Sequence, residues 1–133
     1  MRQDPAEQSP AARRPTVAAV LSLALATAVS PTAWAGGDPA KGADVYDKCI
    51  ACHSPSLNRI GPRHQGVVGR TAGGLTDFAY SPALKKAGFV WDEARLDQWL
   101  TNPEKLVPGN RMGFRLQDPA QRADVIAYLK TLK

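Results

Sequence analysis

The chain has 133 residues, with 17 basic against 12 acidic side chains for a formal charge of +5, and contains only two Cys, two His and two Met. That mild basic excess, with no arginine-rich run and no array of stacking aromatics, excludes a nucleic-acid binder. A four-ligand zinc site is hard to assemble from one Cys pair and two His.

Residues 1–35 do not read as part of a fold. A polar, proline-bearing stretch ends in Arg13-Arg14-Pro15, an apolar run follows from Val17 to Val29, and Ala33-Trp34-Ala35 closes the segment. Positive region, short apolar region and small-x-small site make a secretory signal, with cleavage expected after Ala35. Thirteen apolar-leaning residues fall short of the roughly 20 that span a bilayer, so we expect no stable membrane insertion. Arg2, Arg13, Arg14, Asp4 and Glu7 leave with this segment. Residues 36–133 then form one small domain of 98 residues, with 14 basic against 10 acidic side chains and a charge of +4.

Helix starts in this domain share one signature. Asp38-Pro39, Ser81-Pro82 and Asp118-Pro119 each set a capping side chain before a proline, whose missing N–H costs nothing at the first helical position. Asp92 is a fourth cap, and Gln121, three residues after Asp118, is placed to complete a capping box. These signals predict helices over about 38–52, 81–87, 92–101 and 118–131, with Gly88 stopping the second and Asn102-Pro103 the third.

The first helix carries Cys49-Ile50-Ala51-Cys52-His53, the pattern by which a haem is fixed covalently to an exported protein. Two thiols three positions apart lie on one side of a turn, where each reaches a haem vinyl group, and His53 is then held beneath the iron. A thioredoxin-like dithiol pair would need a βαβ pattern around the motif, and the required strands are missing.

From His53 to Tyr80 the chain is rich in Gly and Pro, with Gly61-Pro62, Gly66, Gly69 and Gly73-Gly74, and has no strand alternation. Loops this long normally count against an assignment in so small a domain, but a haem supplies the core such loops lack. His64, in this loop, is the one other imidazole and an alternative second ligand. Met1 belongs to the signal, so a thioether ligand must be Met112, in the non-periodic stretch Val107-Pro108-Gly109-Asn110-Arg111-Met112-Gly113-Phe114. The competing assignment is a Met that fills a gap in the core. His/Met ligation raises the reduction potential relative to two His and closes the iron.

From Gly42 onward the chain resembles the small soluble class I cytochromes c, relatives of mitochondrial cytochrome c and its bacterial periplasmic counterparts. The resemblance rests on Cys49 to His53, Gly61-Pro62, Trp91, Trp99, Asn102-Pro103, Pro108-Gly109, Met112-Gly113-Phe114 and Val125 to Lys130, in that order. It implies an all-α fold of about four short helices and long loops wrapped around one covalent haem c. It also implies that the Pro62 carbonyl accepts a hydrogen bond from His53, that Tyr80, Trp91 and Arg70 lie near the haem propionates, and that Trp99 stands beside the Met112 sulfur. Gly42, without a side chain, would let the first helix approach the last at Tyr128. The segment from His53 to Gly61 is shorter than in the mitochondrial proteins, and His64 and Gln65 replace their Leu and His.

The function read from these residues is a monomeric periplasmic carrier passing one electron at an exposed haem edge, without catalysis. Lys48, Arg63, Lys85, Lys86, Lys105 and Arg111 are candidates for steering toward redox proteins with acidic docking surfaces. Two alternatives remain: a haem enzyme or gas sensor with a labile sixth ligand, and a dedicated subunit serving one dehydrogenase.

Overall fold

Proline at the first helical position, behind a capping side chain, opens four of the five helices in the computed structural model, which describes residues 36–133. The expected signal, residues 1–35, lies outside the described residues. Helix α1 spans Pro39–Tyr46, α2 Pro82–Lys85, α3 Glu93–Thr101, α4 Pro103–Leu106 and α5 Pro119–Thr131. Among the described residues the only β pairing is an isolated bridge between Thr71 and Val90, and no helix is long and apolar enough to cross a membrane.

Two expectations about boundaries need correction. The first helix ends at Tyr46, not near residue 52, and the chain continues in tighter turns, with Lys48 N–H donating to Val45 O and Cys49 N–H to Tyr46 O. Beyond Tyr46 the exposed Asp47, Lys48 and Ile50 offer no apolar stripe for a longer helix to bury. Asn102-Pro103 does stop α3, but it also starts α4: the Asn102 side chain accepts from Lys105 N–H, and Pro103 occupies the first helical position. The capping box at α5 forms by half. Asp118 accepts from the Ala120 and Gln121 N–H groups, whereas the Gln121 side chain turns to Lys48 Nζ at 2.6 Å.

Packing rests on the meeting of α1 with α5. A Cβ on Gly42 would overlap the Asp124 carbonyl and stand 2.8 Å from Tyr128 Cβ, so only glycine permits this approach. Asp38 N–H donates to Asp124 Oδ1 at 2.7 Å and pins the start of α1 to the side of α5. Val125, Ile126 and Leu129 of α5 and Leu96, Trp99 and Leu100 of α3 are buried at helical spacing and join Tyr46 and Trp91 in one core. Burying Ile126 and Val125 fully contributes about 1.5–3 kcal/mol for each side chain.

The long loops are organised by backbone pairing. Residues 52–66 close back on the cysteine motif: Gly61 N–H donates to Cys52 O, His64 N–H to Ser54 O and Gln65 N–H to Pro55 O. Gly69, Arg70 and Ala72 pair with Phe89 and Trp91, which places Arg70 and Trp91 side by side.

Candidate functional site

A single cavity of about 380 Å³ gathers the residues singled out above. That lies in the range of small-molecule and cofactor sites. Cys49, Cys52, His53, Pro62, Arg70, Tyr80, Trp91, Trp99 and Met112 all line it, and so does His64. Its walls are otherwise largely apolar, with Val67, Leu84, Leu96, Leu100, Val125 and Leu129.

The turns after α1 present both thiols to this cavity. Cys52 is exposed and Cys49 partly buried; burial, with Cys52 beside it, pushes the Cys49 thiol up to about 11. His53 Nδ1–H donates to the Pro62 carbonyl at 2.7 Å, as the resemblance implied. The donated proton fixes the tautomer and leaves the Nε2 lone pair for a metal. Burial lowers the His53 pKa, against the opposing effect of the Pro62 bond, and so favours the neutral, ligating form. Gly61 is what lets the loop come so near, since a Cβ there would run into the His53 ring.

Met112 is half-buried, and its sulfur accepts a hydrogen bond from Trp99 Nε1 at 3.1 Å. Side chains that sequence reasoning missed hold its loop. Asn110 Oδ1 accepts from Met112 N–H at 2.7 Å, and Asn110 Nδ2 donates to Val107 O and to Glu104 Oε2. Glu104 Oε1 accepts from Gly109 N–H at 3.1 Å. On the far side of the loop, Arg122 donates to Asp97 Oδ1 at 2.6 Å and to the Leu116 and Gln117 carbonyls, tying α3, α5 and the loop together.

His64 lies face to face with His53, ring centroids 4.1 Å apart and planes within 20°. A ring stacked on His53 stands on the same side of any metal that His53 binds, which disfavours His64 as a ligand from the other side. Burial, then His53 and Arg70, lower its pKa to about 3, so the ring is neutral at physiological pH.

The residues fit haem c, and one atom in particular shows it. Arg70 donates to the Gln65 and Arg63 carbonyls, yet its Nε is buried without an acceptor. A guanidinium N–H left open at an apolar wall suits a group that brings its own anionic oxygens, as haem does with its two propionates. Tyr80, buried nearby, has its hydroxyl pKa raised by burial, with Arg70 opposing.

The model of the cytochrome c family matches residues 39–133. The chain is 47% identical over 106 residues to a cytochrome c2 of Rhodomicrobium vannielii, covering 77% of this chain and 85% of that protein. A cytochrome c2 of Rhodopila globiformis is 45% identical over 101 residues, covering 73% of this chain and 95% of that one. Among solved structures, cytochrome cH from Methylobacterium extorquens superposes with a TM-score of 0.69 at 49% identity, over 71% of this chain and 99% of that one. Motif, all-α fold and relatives agree, and the chain belongs to the cytochrome c family: a soluble electron carrier with one haem c joined to Cys49 and Cys52.

Proposed function

We propose that this carrier works in the periplasm, exported by the signal at residues 1–35, and that His53 and Met112 would hold the iron of its haem. The observation that carries the reading is the pair of fixed ligand atoms in one cavity. His53 is held by Pro62 with Nε2 turned free, and Met112 is held through Asn110 with one sulfur lone pair taken by Trp99 and the other available.

When bound, haem c supplies one iron centre that changes oxidation state by a single electron. Everything else is done by the chain. Pro62 holds the His53 tautomer and the direction in which its ring points, so the ligand atom need not move between oxidation states. Trp99 restrains the sulfur, and its indole packs edge-on against Trp91 at 5.3 Å. Arg70 offers its open Nε to a propionate, and Tyr80 and Trp91 stand at the same wall. Ile50, Ile60 and Phe114 are exposed, and Ile60 and Phe114 also line the cavity, giving its mouth an apolar edge where a partner can approach closely.

The basic residues divide by surroundings. Lys85, Lys86 and Lys105 are exposed and suited to long-range attraction toward acidic redox partners. Arg63 is paired with Asp77 at 2.6 Å, Lys48 with Gln121, and Arg111 reaches the Ala79 carbonyl, so these three are partly engaged.

A redox titration combined with a carbon monoxide difference spectrum on the reduced, haem-loaded protein tests the ligand set. A positive potential and no carbon monoxide band are expected; ready binding of carbon monoxide would show that Met112 does not close the iron. Transfer to an acidic partner should slow as ionic strength rises and the roughly 8–10 Å screening length shortens. A rate indifferent to salt would remove electrostatic docking from the reading.

A further inference from the structure

His64 contributes something that the haem motif and Pro62 do not. Its ring covers the face of His53, 4.1 Å between centroids and 20° between planes. It is itself anchored: Tyr46 Oη and His64 Nδ1 share a hydrogen bond of 3.0 Å, and the two rings meet edge to face at 5.6 Å. Tyr46, 4% exposed, is seated against Tyr128 of α5 at 5.1 Å. The backbone of the same loop fixes where His64 can be, since its N–H donates to Ser54 O, one residue past His53.

Pro62 alone leaves one freedom open. A single hydrogen bond from Nδ1 sets the direction in which the imidazole points but resists rotation about that direction only weakly. A flat ring lying parallel to the imidazole, and held at its own far edge, opposes that rotation. An aliphatic side chain in the same place would fill the volume without selecting a plane.

We propose that His64, locked by Tyr46, is a positioning residue that sets the ring plane of His53. The chain Tyr128, Tyr46, His64, His53 then connects helix α5 to the axial ligand through packed rings. This inference rests on His53 being an iron ligand, the reading given above.

The test uses the oxidised, haem-loaded protein. In a low-spin ferric haem the orientation of the axial ligand planes distributes unpaired spin among the pyrrole rings, so the order and spread of the shifted haem methyl resonances in proton NMR report that plane. His64→Leu keeps bulk and removes the flat ring; Tyr46→Phe keeps the stack and removes only its anchor; His64→Phe restores a flat ring without the bond. His64→Leu should reorder the methyl resonances, Tyr46→Phe should shift them in the same direction by less, and His64→Phe should return them part of the way. Adding Tyr46→Phe to His64→Leu should produce no further change.

If these variants lower thermal stability but leave the methyl pattern where it was, His64 is a packing residue and the proposal is overturned. Tyr46→Phe removes one oxygen from an otherwise intact core, so it carries the test alone should His64→Leu lose its haem. A wild-type ferric spectrum without an imidazole ligand overturns the ligand reading and this proposal together, and so separates the two failures.

Discussion

The two regions of the cavity that carry the proposed ligands are built in opposite ways. Around His53 the fixing groups come from the immediate chain: the turn from Cys49 to His53, the Gly61 approach and the Pro62 carbonyl all fall within 14 residues, and only the Tyr46 to His64 contact reaches outside. Around Met112 they come from other helices. Trp99 and Asp97 belong to α3, Glu104 to α4 and Arg122 to α5, with Asn110 as the local link. A ligand held by its neighbours in sequence keeps its geometry as long as the loop exists. One held by distant side chains depends on several elements staying docked at once, so the Met112 side should open first under stress.

Substitutions can break that contrast or sharpen it. The largest effect is expected from Gly61→Ala, because a Cβ there meets a ring that Pro62 and the stacked His64 together keep from yielding. Overpacking of this kind costs about 3 kcal/mol and should appear as a marked fall in the melting temperature of the holoprotein. If Gly61→Ala melts like wild type, the loop around His53 is loose enough to absorb a methyl group.

Arg122→Met comes next. It strands the Asp97 carboxylate and two carbonyls at a partly buried site, costing about 2 kcal/mol. Its signature should be a Met112-to-iron absorption band that is lost at lower denaturant than the Soret band changes. Simultaneous loss of both bands would mean that the two sides open as one unit.

Asn110→Ala should cost about 1 kcal/mol, since it removes one bond to Met112 N–H, one to Glu104 and one to the Val107 carbonyl on a partly exposed loop. Carbon monoxide should bind the reduced variant faster than wild type, while the haem stays attached. The smallest effect belongs to Asp77→Asn. The Arg63 guanidinium holds the exposed Asp77 carboxyl below the usual carboxylate range, so what the pair contributes is present above that range and lost as pH falls through the lowered value. Screened by water, it should leave the melting temperature at neutral pH unchanged.

How much of this was legible in the sequence follows from the reach of each interaction. The helix starts at Asp38, Ser81, Asp92 and Asp118 are signalled within three residues of the capping side chain, and all four are found. The start of α4 carries the same signal in Asn102-Pro103, but reading it as a stop for α3 hid that one residue can do both. Cys49, Cys52 and His53 are a contiguous motif, and Pro62 and Gly61 follow from loop composition and family resemblance. The Arg122 pairing with Asp97 spans 25 residues and joins two helices, so no local pattern announces it. Likewise the sequence shows His64 only as a second imidazole near the motif. Its place against His53 appears once residues 54 and 55 pair with 64 and 65 and fold the loop over.

The close contact at Gly42 also bears on the order in which the protein can be assembled. Asp38 and Asp124 meet across 86 residues, and Val125 and Leu129, from the last helix, form part of the cavity wall. Loop closure over such a separation is slow, and its entropy cost must be met before the contacts it enables can form. The segment through Met112 therefore contains every proposed ligand to the iron and yet does not complete the chamber around it. On the proposed export route the two thiols would stand in an open form until α5 arrives to complete the chamber wall.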